Sequence, residues 1–101
     1  MLSAKEIQKL QEYLATKPVA RAFIFGSFAR NEEQPESDLD ILVEIDQQVR
    51  MGLIKFANMK FDLEDLFNRK VDLLAEGGVS KFIKPYIEKD KVLVYERSDR
   101  R

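Results

Sequence analysis

The sequence predicts an α/β (α+β) domain, a small mixed β-sheet with helices packed on it. Three observations lead there. Short β-branched and aromatic segments take turns along the chain with stripes of helical period. The segment DLDILVEI, residues 38–45, sets Leu39, Ile41, Val43 and Ile45 on one face and Asp38, Asp40, Leu42 and Glu44 on the other, which is the period of a strand. Finally, 101 residues with 45% hydrophobic and 35% charged side chains, Gly 4 and Pro 3, make one folded unit with a small core, so residues 1–101 are read as a single domain.

Each element has a local reason. Ser3 followed by Glu6 is a capping box, and Ile7, Leu10 and Leu14 then share one face of a helix that ends near Pro18. Residues 19–25, VARAFIF, form a buried strand that stops at Gly26. Ser27 is placed as N-cap of a short helix through Phe28, Ala29 and Arg30, and residues 31–37, with Pro35, form a loop. After strand 38–45, residues 51–67 carry a helical stripe of Phe56, Met59, Leu63, Leu66 and Phe67 opposite Lys55, Asn58, Asp62 and Asp65. Ile54 and Phe61 fall on a second flank, where burial under a sheet edge is expected ahead of a partner surface. Residues 71–75 form a strand ending near Gly77 and Gly78, and residues 91–96 another. Between them, residues 79–90 are expected to be helical with Phe82, Ile83, Tyr86 and Ile87 inward, although Pro85 costs a hydrogen bond there unless it sits in the first turn. No internal repeat is visible.

Composition removes whole classes of chemistry. With no Cys and no His there is no disulfide framework, thiolate nucleophile, Cys/His zinc site or imidazole base. Catalysis must run on carboxylates, hydroxyls, Lys or Arg, with hard cations on oxygen ligands as the natural cofactor. Lys+Arg 17 against Asp+Glu 18 gives a net charge of −1, which disfavours bulk nucleic-acid binding. No apolar run approaches a membrane span and the first residues have no signal pattern, so a cytoplasmic location is expected.

Asp38 and Asp40, two apart on a strand, send both carboxylates from one face with Cα atoms about 6–7 Å apart, close enough to grip one or two divalent cations. Taken alone, the same two acids read more readily as the solvated end of a fraying strand. The segment before them tips the balance. A buried strand that ends in Gly26 and Ser27 and leads into a helix N-terminus presents N–H groups and a hydroxyl to a phosphate. Asp72 stands within the apolar strand Val71-Asp72-Leu73-Leu74, where an unpartnered carboxylate would be expensive to bury.

Gly26-Ser27-Phe28-Ala29-Arg30, then Ser37-Asp38-Leu39-Asp40-Ile41-Leu42-Val43, then Val71-Asp72-Leu73 resembles the signature of the polymerase-β-type nucleotidyltransferase superfamily: G-S, D-x-D and a later strand Asp. In length and motif order the chain resembles the minimal nucleotidyltransferases (MNT), many of them antitoxins of HEPN/MNT toxin–antitoxin pairs. The resemblance spans nearly the whole chain. One departure is Asn31, where many relatives have Gly; Asn tolerates the left-handed conformation, so the turn is expected to survive.

The resemblance implies a nucleotidyltransferase fold and a Mg²⁺-dependent transfer of AMP from ATP to a hydroxyl, with release of pyrophosphate. Its implied site has Gly26 and Ser27 on the triphosphate, Asp38 and Asp40 on two Mg²⁺ ions (Mn²⁺ could replace them), and Asp72 on the metal at the acceptor, drawing off the acceptor's proton. Arg30 is a weaker triphosphate contact, balanced against a solvated helix residue. Phe28 is expected in the core or the nucleotide-pocket wall, and Glu44 and Glu76 on the surface. The implied partner is a HEPN-type toxin modified on a tyrosine. The alternative is a binding module that silences its partner by occlusion, with the nucleotide site vestigial or regulatory.

Overall fold

A computed structural model describes residues 1–98. Helix α1 (Ala4–Leu14) leads into strand β1 (Val19–Phe25), the single turn of helix α2 (Gly26–Ala29), strand β2 (Leu39–Ile45), helix α3 (Leu53–Phe67), strand β3 (Val71–Ala75), a 3₁₀ turn (Glu76–Gly78), helix α4 (Lys84–Asp90) and strand β4 (Val92–Glu96). The four strands form one mixed sheet in the order β3-β2-β1-β4. β1 is antiparallel to β2 and to β4, whereas β2 and β3 are parallel and joined by the α3 crossover.

Strand alternation divides the side chains between two faces. Ala22, Ile24, Leu39, Ile41, Val43, Val71 and Leu73 point to the face covered by α1 and α3, where they meet Leu10, Leu14, Met59 and Leu63 in the main core. Phe23, Phe25 and Leu42 point the other way, to a smaller cluster closed by Ile87 of α4, with Leu74 and Val79 alongside. Expectation and structure agree on the first helix and its reciprocal capping box of Ser3 and Glu6, on the first and third strands, and on the α3 stripe.

Five elements differ. α2 begins two residues early: Gly26 is already helical, the cap position is Phe25 with no side-chain bond, and Ser27 is therefore not an N-cap. β2 starts at Leu39, leaving Asp38 just outside the ladder, and α3 and β4 start at Leu53 and Val92. α4 covers only Lys84–Asp90, because Pro85 cannot donate a backbone bond and so occupies the first turn. The expected inward set of that helix is corrected with it: Ile87 is buried, but Phe82 (78% exposed), Ile83 (51%) and Tyr86 (73%) face solvent. Burial of Ile54 and Phe61 is corrected too, since both are exposed along with Leu53. They lie on the α3 flank that no second layer covers.

Two residues of α3 should therefore respond oppositely to truncation. Met59→Ala, which empties a fully buried position, is expected to cost about 2–4 kcal/mol, and Ile54→Ala no more than about 0.5 kcal/mol. Urea unfolding of the two variants measures both.

Candidate active site

The site is assembled where β1 ends and β2 and β3 begin. Asp40 is the register partner of Phe25 on one side and of Asp72 on the other, so the two acids sit side by side on neighbouring strands about 5 Å apart. Both point to the face that carries Phe25 and Leu42, the one α4 covers only in part. Asp38, exposed, lies immediately upstream. Asp72 is exposed rather than embedded: alternation drives Val71 and Leu73 into the core and turns the carboxylate outward. The expected burial cost at Asp72 thus falls away, and the crowding of charge is felt at Asp40 instead.

Asp40 is half-buried, and burial, with Asp72 and Asp38 close by, pushes its carboxyl up from 3.8 to about 6; Arg30 pulls weakly the other way. Its position depends on the residue beside it. Gly26 has φ +74°, a left-handed backbone that favours glycine, and a Cβ there would overlap Asp40 Oδ2 and lie 3.1 Å from its Cγ. The turn that presents Gly26 and Ser27 and the strand that presents Asp40 are therefore in direct contact. Because Ser27 is not a cap, its hydroxyl makes no hydrogen bond among the described residues and stays available beside the acids. Asn31 has φ 59°, the left-handed conformation expected of it.

The remaining candidates separate into distinct places. Phe28 is in the main core, with the Arg69 guanidinium 4.8 Å above its ring. Arg69 also donates to the carbonyl of Ser37 at 2.8 Å, anchoring the loop that delivers Asp38. Arg30 is neither free nor simply solvated: it pairs with Glu32 at 2.9 Å and Asp90 at 2.7 Å. Glu44 and Glu76, expected on the surface, are both part-buried at the opposite end of the sheet, where they help line a cavity of about 760 Å³. There Glu44 holds Arg21 through two bonds of 2.8 and 2.7 Å, and Glu76 has one buried oxygen without a hydrogen-bond partner. Arg69 and Asp90 are the residues sequence reasoning missed. Each acts across 30 or more positions, so no local pattern marks them.

Among the described residues no three acidic side chains are gathered at cation-ligating distance. The acids form an open row of charge, and the donor set, carboxylate and hydroxyl oxygen with no nitrogen or sulfur, suits a hard divalent cation.

The raised carboxyl of Asp40 makes stability depend on pH. The folded state binds the proton more tightly than the unfolded chain, so the metal-free protein should lose stability as pH rises from about 4 to about 6, by about 1 kcal/mol once solvent screening at a half-buried group is allowed for. Asp40→Asn should flatten that slope, which denaturant titrations at pH 4 and pH 7 would detect. Gly26→Ala should cost at least about 2 kcal/mol, from the left-handed backbone and the overlap with Asp40 together.

Comparison with known proteins agrees with this fold. The family profile described as polymerase beta, nucleotidyltransferase matches residues 8–100. A Methanocaldococcus jannaschii protein assigned as a protein adenylyltransferase is 41% identical over 86 residues, 84% of this chain and 83% of that one. The protein adenylyltransferase MntA of Thermococcus cleftensis is 29% identical over 99 residues, 93% and 98% of the two chains. The fold is shared with a chain in the solved structure of tri-AMPylated Shewanella oneidensis HEPN toxin in complex with MNT antitoxin, at TM-score 0.70 and 15% identity, covering 92% of this chain and 71% of that one. Since the profile spans nearly the whole chain and a protein adenylyltransferase relative is 41% identical over most of both chains, the protein belongs to the polymerase β nucleotidyltransferase family and is a nucleotidyltransferase.

Proposed function

We propose that the protein is an antitoxin that transfers AMP from ATP to a tyrosine hydroxyl of a HEPN-type toxin, releasing pyrophosphate. The observation that carries this reading is the row Asp38, Asp40 and Asp72 beside the Gly26–Ser27 turn, with Arg30 as the cation whose field reaches it. Relatives named as protein adenylyltransferases and a related fold in a HEPN–MNT complex support the choice of AMP and of a protein acceptor.

In this proposal the N–H groups at the start of α2 and the unspent Ser27 hydroxyl hold and orient the triphosphate. Asp38, Asp40 and Asp72 would hold divalent cations, Mg²⁺ or Mn²⁺, which when bound neutralise the triphosphate, acidify the acceptor hydroxyl and stabilise charge on the attacking and leaving oxygens. Asp72, exposed at the start of β3, accepts the hydroxyl proton. The tyrosine oxygen forms a bond to the α-phosphorus as the bond from that phosphorus to the bridging oxygen breaks, and pyrophosphate leaves with the electron pair. No imidazole is required.

A protein acceptor also agrees with the shape of the site. Asp38 and Asp72 are both exposed, which leaves the acids open to a large acceptor. Exposed Phe82, Ile83 and Tyr86 flank the same face next to α4, as an apolar surface would for a macromolecular partner. No helix among the described residues is long and apolar enough to cross a membrane.

Incubation of the protein with ATP, Mg²⁺ and its HEPN partner should add the mass of AMP to a partner tyrosine. Asp38→Asn and Asp72→Asn should each slow transfer by at least about a hundredfold. An unmodified partner that Asp38→Asn still neutralises in cells would establish occlusion instead. Saturating Mg²⁺ and ATP should raise the melting temperature by a few degrees, and Asp40→Ala should abolish the rise; an unchanged response would exclude Asp40 from the cation site.

A further inference from the structure

We infer that Asp90 is a positioning residue for the nucleotide: through its ion pair with Arg30 it aims the open Nη2 of that guanidinium at the triphosphate held beside Gly26 and Ser27. The inference rests on the nucleotidyl-transfer reading above and adds a residue to it.

Arg30 directly follows the turn of α2, and its charge reaches Asp40. Its guanidinium carries five donors. Nε donates to Glu32 at 2.9 Å and Nη1 to Asp90 at 2.7 Å, while Nη2 donates to nothing among the described residues. Nε and Nη1 lie on different edges of the fork, so each carboxylate takes half of one edge and Nη2, which both edges share, remains open to an anion. The side chain of Arg30 is 44% exposed and that of Asp90 only 18%, so the better-fixed partner orients the freer one. An arginine that must be ordered on binding loses rotamer entropy, and one already clamped does not.

The placement of Asp90 needs such an explanation. It is the last residue of α4, at the negative end of the helix dipole, where a carboxylate is electrostatically disfavoured. The neighbouring Lys91 does not neutralise it, since its ammonium pairs with Glu88 at 2.9 Å. What Asp90 gains there is the bond to Arg30, sixty residues earlier in the chain. The pair also ties α4 to the turn that bears Gly26 and Ser27, so a purely structural role is the reading to be tested against.

The test measures ATP and AMP affinity separately, by displacement of a fluorescent ATP analogue from the full-length protein in Mg²⁺. The variants are Asp90→Asn, Asp90→Glu, Arg30→Gln and the double Arg30→Gln/Asp90→Asn. Asp90→Asn should weaken ATP about fivefold and Arg30→Gln about tenfold, with AMP changed less than about twofold. Asp90→Glu should recover most of the ATP affinity, and the double variant should be no weaker than Arg30→Gln alone. Equal losses for ATP and AMP would reduce the pair to a brace for α4 and overturn the inference. So would tighter ATP binding by Asp90→Asn, which would make Asp90 a competing anion, or additive losses in the double variant. Wild-type protein that fails to bind the ATP analogue at all would overturn the nucleotidyl-transfer reading, and the inference with it.

Discussion

The contact between the Gly26 backbone and the Asp40 carboxylate is the constraint on which the rest of the site depends. A strand ends, the chain turns through a left-handed residue, and the neighbouring strand brings a half-buried carboxylate into the space a Cβ would fill. Only glycine meets both requirements, the positive φ and the close approach. The contact sets the distance between the Gly26 turn and the Asp40 carboxylate without any side chain of its own. It also explains why the Asp40 carboxyl holds its proton more tightly than an ordinary aspartate does. Held against a backbone, its carboxyl has little water to solvate the charge.

Around that contact the period of the strands does the sorting. Odd positions of β2 go into the main core and even positions to the other face, so a single run of residues supplies Leu39 and Ile41 to folding and Asp40 to chemistry. The same rule acts in β3 on Val71, Asp72 and Leu73. Because α1 and α3 both pack on one face, the other receives only α4 and stays open where the acids lie. A chain of this size has little apolar material to spare, and placing most of it on one side leaves the other accessible to a large partner.

Much of this was legible in the sequence because it is local. The capping box of Ser3 and Glu6, the alternation in residues 38–45, the stripe of Met59 and Leu63 and the left-handed tolerance of Asn31 each need only neighbouring residues to be read. The order of the three motifs along the chain was enough to give the family. What misled was context. Asp72 looked costly because its neighbours are apolar, yet face and not neighbourhood decides burial. Phe82, Ile83 and Tyr86 looked inward because a long helix was assumed, and Pro85 shortened it. Ser27 looked like a cap because the left-handed Gly26 was not foreseen as already helical. Arg30 to Asp90 and Arg69 to the Ser37 carbonyl were invisible, since ion pairs and carbonyl anchors across the fold follow from the topology and leave no periodic trace.

The parallel pairing of β2 with β3 has a kinetic side. Asp38 and Asp40 meet the Gly26 turn through an antiparallel connection, but Asp72 reaches them only after the α3 crossover has closed a long loop and docked its strand. Non-local parallel contacts of this kind are slow to form and come late. A ribosome that has delivered only the first two strands has made a phosphate-facing turn with two acids beside it and no third. The complete row of Asp38, Asp40 and Asp72 exists only once β3 has docked on β2.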